Sequence, residues 1–271
     1  ASRVMTWGRR VIVPSQALGR YLIDQFHAPP ERLRVIPRGV DLSQFPFRAP
    51  SAHGDGPWRG GVVGRITALK GQDVAIRAMH QLVSQHVAVT LCVIGDAPTG
   101  RPHVRHQLEQ LAGSLRVQQA IEWWGTRDDI PSCLASLDLV IVPSTYPESF
   151  GRSVIEAQAS GIPVVASHIG ALAEIVEDGA TGLLVRPGDP TELAQAIGRL
   201  ITDEPLRQRI IQQARQRIEE RCSLERMVEE TLAVYHTCLT TPSVVIWKLS
   251  ALGDVVLATP SLRAIRRQFP A

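Results

Sequence analysis

Two carboxylates, Glu148 and Glu156, stand eight positions apart around Phe150-Gly151 in the segment Pro147-Glu148-Ser149-Phe150-Gly151-Arg152-Ser153-Val154-Ile155-Glu156. Carboxylates are poor phosphate ligands but good acceptors for hydroxyl groups. A second segment, Gly64-Arg65-Ile66-Thr67-Ala68-Leu69-Lys70-Gly71, places two cations in one loop. A pyrophosphate needs such fixed cations together with backbone N–H donors. With Glu148 in a loop and Glu156 in the second turn of a helix, the two acids stand about 10 Å apart at the helical rise. That is too far for the retaining glycosidase arrangement, which needs roughly 5 Å. It suits the two ends of an extended ligand with an anionic middle and hydroxyl-bearing ends, such as a sugar nucleotide. Glu156 would accept the hydroxyls of a ribose. Glu148 and the N–H groups of Phe150 and Gly151 would hold a hexose. Each feature also has a plainer reading. Glu148 reads as an acid favoured at a helix start, Glu156 as part of a solvated helix face, and the Arg65–Lys70 loop as an ordinary connection with two surface cations.

The elements that must position these residues follow from the alternation of short apolar runs with longer amphipathic stretches, the pattern of βαβ units and a parallel sheet. Strands are expected at 10–14, 33–37, 60–64, 88–94, 120–124, 139–143, 163–166 and 182–185. Helices are expected at 15–27 (capped by Ser15), 72–85, 104–115, 128–136, 151–160 and 171–177, then at 191–202, 205–220 and 223–239. The mixed Arg/Glu content of the last three describes solvated outer faces. The run Leu139-Val140-Ile141-Val142 reads as a buried strand that ends just before the paired glutamates. A strand leading through a polar loop into a helix N-terminus is where open α/β sheets bind ligands.

Composition bounds the rest. The 271 residues are 44% hydrophobic and 20% charged, enough to bury a core in one large or two modest domains. The net charge of +3 comes from interspersed signs, which argues against nucleic-acid binding and a polybasic membrane run. The four cysteines, Cys92, Cys133, Cys222 and Cys238, lack metal-ligand spacing and suit the reduced thiols of a cytoplasmic protein. The histidines are scattered and read as solvated or core residues. Trp123-Trp124 reads as core and strand end, and the loop 125–129 is a candidate to reach a nucleobase.

The residues resemble a family. Glu148 and Glu156 match the E-x7-E signature of the family 4 retaining glycosyltransferases of GT-B fold. Around them stand Val62-Val63-Gly64-Arg65, Lys70-Gly71, Ile94-Gly95-Asp96, Ser149-Phe150-Gly151, Glu156-Ala157, Gly161-Ile162-Pro163-Val164-Val165-Ala166 and Thr181-Gly182-Leu183-Leu184-Val185, in order and at suitable spacing. The likeness runs from about residue 4 to 238. Val35-Ile36-Pro37-Arg38-Gly39-Val40-Asp41 is similar to the segment between that fold's two Rossmann-like domains, with Arg38 where the family more often has Asn. The resemblance implies an α/β fold, the C-terminal half of GT-B, with helices on both faces of a Rossmann-like parallel sheet and a helical C-terminal segment. It implies hexosyl transfer from a nucleotide-diphosphate sugar to a cell-envelope glycan or lipid-linked acceptor, retaining, without metal or other cofactor, in agreement with the lack of an Asp-x-Asp. Arg65 and Lys70 would bind the donor diphosphate and stabilise its charge as the glycosidic bond breaks. Glu156 would hold the ribose and Glu148 the sugar, with Gly64, Ser149, Phe150 and Gly151 completing the donor site.

The expected domains are a remnant of the N-terminal GT-B domain at 1–40, a linker at 41–58 carrying three prolines, and the donor domain at 59–239. The acceptor site would then be mostly missing, and the chain alone would bind donor weakly and not turn over. Opening on Ala suits a fragment or a processed N-terminus. The tail 243–271 is expected to begin a second domain as a strand and helix. Its residues 244–260 resemble the opening of the family 9 glycosyltransferases, the heptosyltransferases of lipopolysaccharide core synthesis, in which Asp254 would match the catalytic base. Packing of that tail back on the preceding domain is the plainer reading. A two-enzyme bacterial fusion for envelope glycan assembly would be cytoplasmic, with the full-length parent peripherally associated at the inner face of the plasma membrane. The rivals are a sugar-nucleotide 2-epimerase on the same architecture and a non-catalytic nucleotide-sugar-binding module.

Overall fold

The computed structural model describes residues 8–49, 53–54 and 56–239. The strand and helix expected beyond residue 242 and Asp254 lie outside the described residues. Two compact units are present, one from residues 8–39 with 221–239, the other from 40–220. The described residues 221–239 group with the first unit, and the sequence reading places them in the domain at 59–239.

In the first unit, strand β1 (Val11–Val13) pairs in parallel with β2 (Leu33–Val35) through helix α1 (Gln16–Phe26). Ser15 caps α1 as expected, its hydroxyl accepting from the Leu18 N–H at 3.1 Å. Val13, Leu22 and Ala28 form its small core. The last helix, α9 (Leu224–Leu239), belongs here, and the Gly39 N–H reaches the Met227 sulfur at 3.1 Å.

The second unit is a six-stranded parallel sheet. Its strands are β3 (Trp58–Val63), β4 (Val89–Ile94), β5 (Ile121–Gly125), β6 (Leu139–Val142), β7 (Val164–Ser167) and β8 (Leu183–Val185). The connecting helices are α2 (Gln72–Ser84), α3 (His103–Ser114), α4 (Ile130–Ala135), α5 (Arg152–Ala159) and α6 (Leu172–Ile175), followed by α7 (Pro190–Thr202) and α8 (Glu204–Arg221). All lie within about two residues of the expected bounds. The expected linker ends sooner, because Trp58 already pairs with β4 and donates its N–H to Ala88 O at 2.9 Å. The strand order is β5-β4-β3-β6-β7-β8. The order runs one way from β3 to β5 and the other way from β6 to β8, so the switch point lies between β3 and β6. In open α/β sheets the crevice at the C-terminal ends of those strands receives the ligand.

Sequence chemistry accounts for this frame. Every residue of β6 is buried, as a central strand covered on both faces must be. Asp129 and Asp189 cap α4 and α7, each with a proline in the first turn. The outer faces of α8 and α9 carry the expected i,i+4 pairs, Arg215–Glu219 and Arg226–Glu230. Two arginines depart from that description. Arg207 is buried and donates to Leu200 O and Ile201 O at the end of α7, and Arg215 also donates to Ala159 O at 2.6 Å. Both satisfy helix-end carbonyls that have no partner inside their own helix.

Candidate functional site: the crevice between β3 and β6

The loop after β3 carries the cations. Gly64 leaves the strand at φ 146°, with its N–H on Ile94 O at 2.9 Å. The Arg65 backbone is fixed from two directions. Its carbonyl accepts from Gln72 Nε2 at 3.0 Å, and the adjacent Ile66 N–H reaches Asp96 O at 2.9 Å. The Arg65 side chain is exposed and has no ion-pair partner among the described residues. A rigid stem thus presents a free guanidinium, as anion recognition requires. A single turn at Ala68–Lys70 then leads through Gly71 into α2.

The loop after β6 is fastened to this one. Thr145 donates twice across the crevice floor, from its N–H to Leu69 O at 3.0 Å and from its hydroxyl to Ala68 O at 2.9 Å. Gly71, left-handed at φ 67°, lies so close to the other loop that a Cβ there would sit 1.9 Å from Pro143 O. No side chain fits, so the glycine is what allows the loops to touch.

These fastenings bring Lys70 and Glu148 together. Lys70 Nζ lies 2.8 Å from Glu148 Oε1, and the fully buried Ser144 hydroxyl donates to the same oxygen. Among the described residues the other oxygen of Glu148 takes no hydrogen bond. The carboxylate is therefore held by one oxygen and open to a hydroxyl donor at the other. Glu148 is a partner of the cation, not merely an acid near a helix start. Ser149 is exposed and Phe150 buried, and the chain enters α5 through Gly151 at φ 117°, packed against Leu172.

Glu156 does not lie on a solvated helix face. It is 7% exposed, and α5 is buried from Ser153 through Ala159. Its Oε1 accepts from Arg152 Nη2 at 2.8 Å. Burial pushes its carboxyl above the usual carboxylate range, and Arg152 opposes that shift. A buried carboxylate with a single cation partner is costly to keep unless it has a task or further bonds.

The structure thus joins Arg65, Lys70, Glu148 and the Gly151 helix start at the switch point, and sets Glu156 one helix turn beyond. Sequence reasoning missed Gln72, Ser144, Thr145 and Arg152. Only Arg152 carried a signal, its i,i+4 spacing to Glu156. The loop at 125–129 begins beside the crevice wall, where Gly125 O accepts the Gly95 N–H at 2.7 Å. Trp123 packs against the core, whereas Trp124 lies at the sheet edge under the guanidiniums of Arg59 and Arg127. Among the described residues no group of three or more His, Cys, Asp and Glu side chains is placed to hold a metal ion. No helix there is long and apolar enough to cross a membrane.

Known proteins agree with this frame. The family described as glycosyl transferases group 1 matches residues 44–217, and that described as glycosyltransferase family 4 matches residues 1–44. A D-inositol 3-phosphate glycosyltransferase of Salinispora tropica is 35% identical over 253 residues, 86% of this chain and 52% of its own. The chain spans about half the length of the curated relatives it matches. The crystal structure of Anabaena Alr3699/HepE in complex with UDP-glucose superposes with a TM-score of 0.76 at 31% identity, covering 86% of this chain and 64% of that one. The C-terminal domain of a glycosyl transferase group 1 family protein of Francisella tularensis is 30% identical, with a TM-score of 0.59 over 67% of this chain and 97% of its own. The parallel α/β sheet is that of GT-B glycosyltransferases, and the chain belongs to the glycosyl transferases group 1 family.

Proposed function

We propose that this chain is the donor-binding half of a retaining, metal-independent hexosyltransferase that uses a nucleotide-diphosphate sugar. The observation that carries the reading is the Lys70–Glu148 pair, with the exposed Arg65 on the same loop, at the sheet's switch point. Arg65 and Lys70 offer two positive charges where a diphosphate would gather negative charge as the glycosidic bond breaks. Electrostatic stabilisation of that leaving group is the main physical task. Diphosphate binding would draw Lys70 from Glu148 or share it, leaving the carboxylate to orient a sugar hydroxyl. Glu156 would accept the ribose hydroxyls. The Anabaena relative was crystallised with UDP and with UDP-glucose, which supports a nucleotide sugar as ligand. The relatives' lengths support an acceptor half elsewhere in the intact protein, which would be cytoplasmic or peripheral to the membrane and would act on a cell-envelope glycan or lipid-linked acceptor. Residues 243–271 would open a second, family 9 domain with Asp254 as its base.

The test is product analysis with the intact protein, UDP-glucose or GDP-mannose, and a panel of inositol-phosphate and lipid-linked acceptors. A transferred hexose with its anomeric configuration retained and full activity in chelator is expected. A sugar altered at C2 on its nucleotide without an acceptor would instead reveal an epimerase.

A further inference from the structure

Arg152 occupies a position that helix physics disfavours. It is the first residue of α5, where the helix dipole opposes a cation. It also stands N-terminal to its acidic partner, the weaker order for an i,i+4 pair. Its side chain is half exposed, and it reaches down to a carboxylate that is 9% exposed. Its value to the helix is therefore small, and its effect falls on Glu156.

Among the described residues no other charge takes that place. Helix α5 packs on β6, β7 and α6. The two strands carry no ionisable side chain, and α6 contributes only Glu174. Arg215 faces the far end of the helix, bonded to Ala159 O. Among the described residues Arg152 is the charged group that acts on the Glu156 carboxyl, against the effect of burial.

We propose that Arg152 is a positioning residue of the donor site, holding the Glu156 carboxylate ionised and in one orientation so that its second oxygen accepts the ribose hydroxyls. The inference rests on the reading of Glu156 as the ribose acceptor. A neutral, protonated Glu156 would be a poorer hydroxyl acceptor, and a free carboxylate would lose its fixed direction. The guanidinium prevents both while its own head stays in solvent, outside the ribose position.

The experiment is calorimetric titration of the intact protein with UDP-glucose and GDP-mannose, each beside its 2′-deoxy form, across about pH 5–8, where their diphosphate diesters do not titrate. The wild type is expected to prefer the ribose form by ~10-fold or more, the size of a hydrogen bond to a charged group. Arg152→Leu removes an opposing charge, so the carboxyl titrates higher. The acid limb of nucleotide binding is expected to move up by about one pH unit, and the ribose preference at neutral pH to shrink. Arg152→Lys restores the limb. Arg152→Gln keeps a donor but no charge, so the limb stays shifted while part of the preference returns; it also serves if the leucine variant folds poorly. Glu156→Gln abolishes both the limb and the preference. An Arg152→Leu protein with the wild-type limb and preference would overturn the role of Arg152 alone, provided Glu156→Gln still removes both. Equal binding of ribose and 2′-deoxy forms by the wild type would remove the reading of Glu156, and this inference with it.

Discussion

The crevice between β3 and β6 and the opposite edge of the same sheet use the same residue types to different ends. At the edge, Arg59 pairs with Glu122 at 2.5 Å, and the Trp124 indole N–H donates to the same carboxylate oxygen at 2.9 Å. Arg59 and Arg127 lie over the Trp124 ring. Beneath them burial pushes the Cys92 thiol up to about 11, so it stays protonated and inert at neutral pH. Cation meets anion and aromatic face there, and the cluster ties β3 across β4 to the edge strand β5. In the crevice, among the described residues, Arg65 stands without an ionic partner and the Glu148 side chain is held by one oxygen. The Nε of Arg59 is buried without a hydrogen-bond partner among the described residues, but its charge is paired; the difference lies in which charges stay open, and in the backbone fastenings that hold them so. Completed pairs build, whereas incomplete pairs on a rigid floor wait for a ligand.

Substitutions can break or sharpen that contrast. The largest effect is expected at the fastening itself. Gly71→Ala forces a left-handed side chain against Pro143 O, and denaturant unfolding should show a loss of about 3–5 kcal/mol. A stability within 1 kcal/mol of wild type would mean the loops are less tightly joined than described. Next come the cations. Arg65→Ala or Lys70→Ala in the intact protein should each lower turnover ~100-fold, about 2.7 kcal/mol of barrier. Near-normal rates in both would remove the diphosphate from this loop. Ser144→Ala removes one of the two side-chain contacts that hold the Glu148 carboxylate among the described residues and should lower kcat/KM by ~10-fold, about 1.4 kcal/mol. An unchanged value would make Ser144 a packing residue. The smallest effect belongs to the edge. Arg59→Met and Glu122→Gln, both more than a third exposed, should change stability by no more than about 1 kcal/mol and leave turnover alone. A turnover defect there would collapse the distinction between the two regions.

Much of this was legible in the sequence because it is local. Apolar runs marked the strands, Ser15 marked a helix cap, and the loops at 64–71 and 144–151 announced polar groups at strand ends. What escaped was set by distance along the chain or by burial. Thr145 and Leu69 are bonded because β3 and β6 are neighbours, and no periodicity tells which parallel strands will adjoin. Lys70 and Glu148 appeared as holders of different ligand parts. Only the fold shows that they hold each other first. The burial of Glu156 escaped for another reason. Amphipathic pattern assigns a helix one wet face, and α5 has almost none, being enclosed from Ser153 to Ala159. Ser144 carried no signal of its own, since a serine after an apolar run is ordinary turn chemistry.

The double tether from Thr145 to the opposite loop, with Gly71 seated on Pro143, has a consequence for anyone wishing to alter what this crevice binds. The segments 64–71 and 143–151 form a single exchangeable cassette. Grafting one of them from a relative would leave hydrogen bonds hanging and a backbone contact mismatched. Transplanting both together would carry the whole floor of the crevice intact onto a new scaffold.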